Sequence, residues 1–558
     1  MNTWLTYTRN STKLMNILNT TIQNRSKQER LRNSHTLPHH YFDGDEVAKF
    51  LTDLGKLDMG KEQILYSIGS KLLSDSARSN PNVLKFLSEY NFELVEIRDI
   101  PCNEFDLLGS AYQYLNSKLE NLEKGSFYTG RDVAQDFVKD LKFDGGQVIF
   151  DPACGSGSFL FRSDANANQI YGVDADPIAI MIAKFNYFIK FPSEDYPKIF
   201  CVDFFEWFHL NQETKFDYII GNPPYGANLN LANIPSEHVF SGESFSYFIE
   251  FCYFLLKQEG IFRFLLPEAI LNVKRHTDIR KFILKFANLR RIKRYPKKFA
   301  GVMSDLYLIE LDHGSTETIL FQDGDSHAMP KSIFLKLKNL IFVNLTAEDI
   351  SIIEKIEAVK ASDLSSSIFG LGVVTGDNKT RLVDASSPGA ELIYTGKEVG
   401  RYKLQEPRNF LVYDRAVLQQ VAPDEIYRAK EKLVYKTISK TLKVAIDSSG
   451  SLTSNSANLI ISTMPDLTQK SVMALLNSDL YTFLHFKLFG GVNKIAKENL
   501  MALPFPKLTK QQNDFLGNLI DSLDMDIDDK QIQEFINYEI FGLTPSEVEH
   551  ISSVVSAI

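Results

Sequence analysis

Val148-Ile-Phe-Asp151-Pro152-Ala153-Cys154-Gly155-Ser156-Gly157-Ser158-Phe159 runs from an apolar strand into an acidic, glycine-rich turn and on into Leu160 and Phe161. Glycines at such a turn let backbone N–H groups approach a ligand closely, as in nucleotide-binding βα units. Leu160 stands where a third glycine of G-x-G-x-x-G would be, and no Gly-Lys-Ser/Thr follows, so neither a dinucleotide nor a triphosphate is favoured. A second strand, Gln169-Ile-Tyr-Gly-Val173, ends in Asp174, and a third acidic strand end follows at Asp203-Phe204. With Asn222 closing a fourth strand, Phe216–Gly221, these residues predict the carboxyl edge of an open, doubly wound α/β sheet, where ligands bind.

Asn222-Pro223-Pro224-Tyr225 carries the chemistry. Two prolines stiffen the backbone. The asparagine amide oxygen and a proline carbonyl can both accept hydrogen bonds from one planar NH2 group, and the tyrosine offers a flat face for stacking. That set fits an adenine amino group, and a glutamine amide is the other planar NH2 it could take.

On these motifs the chain resembles a gamma-class S-adenosylmethionine-dependent DNA N6-adenine methyltransferase, over roughly residues 105 to 508. The family's cofactor loop is matched by Gly125-Ser-Phe127-Tyr128-Thr129-Gly130, with Gly130 in place of the family's usual proline. The resemblance implies a Rossmann-like catalytic domain and S-adenosylmethionine as methyl donor. Phe127, Tyr128, Thr129, Asp151, Pro152, Ala153, Cys154, Gly155 and Gly157 would line its site. Asp174 and Ala175 would lie at the cofactor ribose, and Asp203 and Phe204 at its adenine. Asn222, Pro223, Pro224 and Tyr225 would hold a flipped-out target adenine, and Phe299, ahead of a late strand, would pack on it. No metal and no covalent intermediate are implied.

The 558 residues are too many for one ordinary core. A helical amino-terminal domain over 1–104, a catalytic domain over 105–315, a linker over 316–345, a target-recognition domain of α+β type over 346–508 and a helical tail over 509–558 are expected. Residues 228–243, rich in Asn, Ser, Gly and Pro, read as a mobile loop that could close on DNA. Four isolated cysteines give neither a zinc site nor a disulfide framework, which fits a reducing cytoplasm. Neither a signal peptide nor a membrane span is legible.

A formal net charge of −9 argues against indiscriminate coating of nucleic acid, so local charge matters more. No acidic residue occurs from Ile279 to Ser304, while Arg280, Lys281, Lys285, Arg290, Arg291, Lys293, Arg294, Lys297 and Lys298 accumulate. Beside a DNA-methylating site this run predicts a phosphate-contacting stripe. Lys379 and Arg381, and the basic run Arg428, Lys430, Lys432, Lys436, Lys440 and Lys443, are further candidate DNA contacts. The expected partner is double-stranded DNA, with a separately encoded cognate restriction endonuclease. A type I-like modification subunit that borrows specificity from another chain is the nearer alternative, and a protein glutamine N-methyltransferase the more distant one.

Overall fold

The computed structural model describes residues 45–101, 106–117, 120, 129–226, 234–296, 305–337, 342, 344–383, 387–490, 494–523 and 528–558. It divides into two compact units that meet between Leu335 and Lys336.

The first unit is built on a nine-stranded sheet in the order β3-β2-β1-β4-β5-β7-β6-β8-β9. Its strands are β1 (Ile149–Asp151), β2 (Ile170–Asp174), β3 (Lys198–Cys201), β4 (Phe216–Gly221), β5 (Leu256–Pro267), β6 (Asn288–Tyr295), β7 (Leu306–Asp312), β8 (Thr318–Asp323) and β9 (Asp325–Pro330). The first five pair in parallel, and β7 inserts antiparallel between β5 and β6. Strand order reverses at β1, between β2 and β4, which is the switch point where doubly wound sheets open a ligand crevice. Parallel strands must be apolar on both faces, and β4 shows it: only Asp217 of Phe216–Gly221 escapes burial.

Helices α1 (Asp45–Leu54), α2 (Lys61–Leu72) and α3 (Pro81–Ser88) do not form a separate amino-terminal domain. Their apolar faces join one continuous core with α4 (Leu107–Leu115), α5 (Arg131–Val138), α6 (Pro177–Lys190) and the sheet. The approach of α2 to α6 is close enough that a Cβ on Gly69 would come within 2.5 Å of the Phe185 ring. Phe185 also meets Phe86 of α3 edge-on at 4.8 Å. Likewise, the expected linker is a structural part of the sheet: β8 runs parallel to β6 and pairs with β9 in a hairpin. The three-residue turn Asp323-Gly324-Asp325, with Gly324 at φ +77°, makes that hairpin.

The second unit contains two four-stranded sheets, β11-β18-β15-β16 and β12-β14-β13-β17, and a two-stranded pair, β10-β19. These strands are β10 (Lys360–Ser362), β11 (Ile368–Gly370), β12 (Leu382–Val383), β13 (Ala390–Tyr394), β14 (Asn409–Val412), β15 (Lys432–Lys436), β16 (Val444–Asp447), β17 (Leu452–Thr453), β18 (Ala457–Ile461) and β19 (Phe505–Pro506). The region after residue 508 is no loose tail. A capping box at Thr544 starts the last helix, Pro545–Ala557, whose Glu547 bonds Lys355 at 2.6 Å and whose His550 meets Asp349 at 2.8 Å.

Candidate active site

The glycine-rich turn leaves β1 at Asp151, which is 1% exposed and accepts the Ala153 N–H at 3.0 Å. Burial, with the Asp174 carboxylate nearby, pushes the Asp151 carboxyl well above the usual range. Gly155 and Gly157 take positive φ of +54° and +84°, and a Cβ on Gly157 would stand 2.1 Å from the Phe161 ring. The turn is stitched to β2: Cys154 N–H donates to the Val173 carbonyl at 2.9 Å, and Gly155 N–H donates to Asp174 Oδ2 at 2.9 Å. Cys154 is buried, and burial raises its thiol far from a reactive thiolate.

Asp174 therefore positions the turn. Its other oxygen accepts the Asp176 N–H at 2.9 Å, and Asp176 caps α6 and takes the Tyr112 hydroxyl at 2.5 Å. Ala175 is exposed beside it. Asp203 is exposed at the end of the β3 segment, where Oδ1 caps α7 (Phe204–Leu210) through the N–H groups of Phe205 and Glu206. Phe204 departs from expectation. It is 2% exposed and stacks on Phe248 at 4.9 Å, so it belongs to an aromatic core that only folding assembles and presents no face to a ligand.

At the end of β4, Gly221 allows a close approach: a Cβ there would stand 2.8 Å from Asp151 Oδ1. Asn222 consequently leaves the sheet beside the glycine-rich turn. Its Nδ2 donates to Thr129 Oγ1 at 3.3 Å, which brings the cofactor-loop segment and the tetrapeptide together across 93 residues. The Tyr225 hydroxyl contacts Asn222 Oδ1 and, at 2.7 Å, the Leu265 carbonyl. The Pro224 carbonyl accepts the hydroxyl of Ser244, the first residue of α8 (Ser244–Phe254), and the Gly226 N–H donates to Glu243 at 2.6 Å. Pro223 is buried. Phe127, Tyr128, Phe299, Lys297 and Lys298 lie outside the described residues.

Three supporting groups escaped the sequence reading. Ser244 and Glu243 brace the tetrapeptide from the next helix. Asp106 accepts bonds from Ser156 Oγ, Asn186 Nδ2 and Gly109 N–H beneath the turn. An Asp before an apolar helical run was legible as a cap, but its bonds to Ser156 and Asn186 depend on the fold.

Much of the basic stripe is paired within the protein, while Lys281 and Lys285 are exposed. Arg280 is 0% exposed and donates to the carbonyls of Ile270 and Val273. On β6, Arg290 pairs with Asp312 at 3.0 Å, Arg291 with Glu310 at 2.5 Å and Lys293 with Asp136 at 2.5 Å. Arg294 is shared between Asp305 at 2.6 Å and Asp323 at 3.1 Å. Acids on α5, β7 and β8, remote in sequence, neutralise the strand. In the second unit, Lys379 and Arg381 lie on the short helix Asn378–Arg381, with Arg381 exposed. Lys432 is withdrawn from any surface role by an ion pair with Asp447, at side-chain exposures of 0% and 2%. Arg428 pairs with Glu391.

The donor set suits S-adenosylmethionine. Asp151 lies buried under the turn, with its Oδ1 on the Ala153 N–H. Asp174, partly exposed at the end of β2, accepts the Gly155 N–H on one oxygen and the Asp176 N–H on the other.

Comparison with known proteins agrees. Residues 103–360 match the N-6 DNA Methylase family, and residues 391–505 match the TaqI-like C-terminal specificity domain. The type II methyltransferase M.VspI of Vibrio sp. (strain 343) is 27% identical over 309 residues, spanning 53% of this chain and 75% of that protein. The type I restriction enzyme MjaIX methylase subunit of Methanocaldococcus jannaschii is 34% identical over 134 residues, which is 22% of this chain and 23% of the subunit. In fold, the chain is similar to the Type IIL restriction-modification enzyme MmeI in complex with DNA, with a TM-score of 0.56 and 12% identity over 89% of this chain and 86% of that one. The chain thus carries a region similar to the N-6 DNA Methylase family, residues 103–360, followed by one similar to the TaqI-like C-terminal specificity domain, residues 391–505.

Proposed function

We propose that the chain is a site-specific DNA methyltransferase of a restriction-modification system that methylates N6 of an adenine rotated out of double-stranded DNA. The observation that carries this is the junction of Asn222 and Thr129 at the end of β4, beside the turn that leaves β1. Adenine N6 is inaccessible inside a duplex, and extrusion costs about a few kcal/mol. Stacking on Tyr225, together with Phe299 by resemblance, would return about 1–3 kcal/mol.

Tyr225 has one hydroxyl proton and two acceptors in reach, Asn222 Oδ1 and the Leu265 carbonyl. Asn222 Oδ1 and the Pro223 carbonyl would accept the two amino hydrogens of the adenine. Both acceptors draw the nitrogen toward tetrahedral geometry, and their dipoles stabilise the positive charge it gains. No strong base is required at that atom. S-adenosylmethionine, when bound, supplies the electrophilic methyl group. Asp151, the Gly155–Gly157 turn, Asp174 and Asp203 would hold it, with Thr129 fixing Asn222 from the other side.

A methylase subunit that relies on a separate specificity chain is a second reading, favoured by the 34% identity to the MjaIX subunit and opposed by the specificity match over 391–505. Single-molecule sequencing of DNA from a methylation-free bacterial host expressing this chain alone separates the two. N6-methyladenine at one recurrent sequence, absent with Asn222→Ala, supports the first reading. Unmodified DNA, despite folded protein that binds the methyl donor, refutes it.

A further inference from the structure

Phe240 is 73% exposed, the most exposed aromatic side chain among the described residues. The backbone beneath it is firmly held. Asp278 Oδ2 accepts the N–H groups of Phe240 at 2.6 Å and Ser241 at 2.8 Å, and Arg275 Nε donates to the Ser241 carbonyl at 2.5 Å. On the preceding side Val239 is 1% exposed and its N–H donates to Ser236 Oγ at 2.8 Å, while the His238 ring lies 4.3 Å from that of Phe286. The segment thus buries Val239 and displays Phe240. Residues 234–243, expected as part of a mobile loop, form neither helix nor strand and are tied down by these bonds.

The display stands next to the tetrapeptide. Glu243 binds the Gly226 N–H and Ser244 binds the Pro224 carbonyl, so the segment is fastened to the chain on either side of Tyr225. Two residues separate Phe240 from Glu243, a span of at most about 11 Å. Arg275, bonded to the Ser241 carbonyl, and its chain neighbour Lys274 are exposed and form no ion pair with a described residue. They contrast with the β6 cations, each of which is neutralised. An exposed apolar ring on a backbone held by hydrogen bonds, with cations on the segment that holds it, suits duplex DNA, in which a side chain can enter the stack between base steps while lysine and arginine hold phosphates.

We propose that Phe240 is the wedge that enters the base stack next to the extruded adenine, and that Lys274 contacts a flanking phosphate. This rests on the adenine-methylating reading above. The probe is a synthetic duplex carrying the sequence methylated in the bacterial host, prepared once with the target adenine paired and once with it mispaired. A mispaired base needs less extrusion. The expected result is that Phe240→Ala lowers kcat/KM at least about tenfold on the paired duplex and less than about twofold on the mispaired one, with Phe240→Trp close to wild type. Lys274→Ala should reduce the slope of log affinity against log salt by about 0.9. Equal activity of Phe240→Ala and wild type on both duplexes overturns the wedge, and so does a loss of the same size on both. A wild-type chain that leaves both duplexes unmethylated overturns the underlying reading instead, and the wedge with it.

Discussion

Ser156 and Asp106, fifty residues apart in sequence, are joined by a hydrogen bond from the serine hydroxyl to the carboxylate. The bond couples the middle of the glycine-rich turn to the start of α4, and Asn186 Nδ2 extends the link to α6 at 2.8 Å. Asp106 itself adopts φ +52°, a left-handed conformation that a non-glycine residue holds only when its surroundings impose it.

Burial raises the Asp106 carboxyl from 3.8 to about 6, against the hydrogen bonds from Ser156 and Asn186. A raised native pKa means that the folded state binds the proton more tightly. Its stabilising contribution is therefore complete below the unfolded pKa and is lost as pH rises toward about 6. The rise corresponds to about 3 kcal/mol. Asp106→Asn should remove this part of the pH dependence, so the stability difference between wild type and variant should change between pH 4 and 6.5 and be flat above. Urea unfolding across that range measures it. Asp106→Ala should also leave Ser156 and Gly109 without their acceptor, costing about 1–3 kcal/mol and weakening methyl-donor affinity in calorimetry.

Asn222→Ala should lower methylation by at least about 10²-fold, because the acceptor is aimed at charge that develops in the reaction. The fold should barely notice. The contacts to Thr129 and Tyr225 are among those lost, so stability should fall by about 1 kcal/mol. Methyl incorporation and a thermal melt of the same preparation decide this, and an active variant would remove Asn222 from the chemistry.

Phe204→Ala should cost about 3–5 kcal/mol by opening a cavity against Phe248 and Phe205. Affinity of the folded fraction for the methyl donor should stay within about twofold. A selective loss of that affinity without destabilisation would show that Phe204 lines the site after all.

Arg294→Gln should leave the salt dependence of DNA binding unchanged, since its charge is already spent on Asp305 and Asp323. A phosphate contact would instead lower the slope by about 0.9. Fluorescence anisotropy at several salt concentrations distinguishes the two.

Lys432→Met should destabilise the second unit by about 3–5 kcal/mol, because it strands the Asp447 carboxylate in the interior. Lys432→Met combined with Asp447→Leu should recover much of the loss. Denaturation monitored in both variants checks it, and additive losses would contradict a mutual pair.

The sequence by itself determined the local devices. An apolar run ending in Asp151 and glycines, a strand ending in Asp174 and Asn222-Pro223-Pro224-Tyr225 after β4 are short-range patterns, and each sits at a strand end or turn as its composition requires. Only the tertiary structure decided which of the remaining residues are available to a ligand. Arg290, Arg291, Lys293 and Arg294 read as a charged stripe until β7 and β8 place acids beside them, and Phe204 reads as a ligand contact until Phe248 covers it. The same holds for the limits of the units: Thr318–Pro330 mixes apolar residues with Asp, Gly, Ser and His and reads as a connecting segment, and pairing beside β6 makes it sheet. Hydrogen bonding along the chain is set by neighbours in sequence, whereas burial and charge pairing are set by neighbours in space, and those exist only once the sheet has closed.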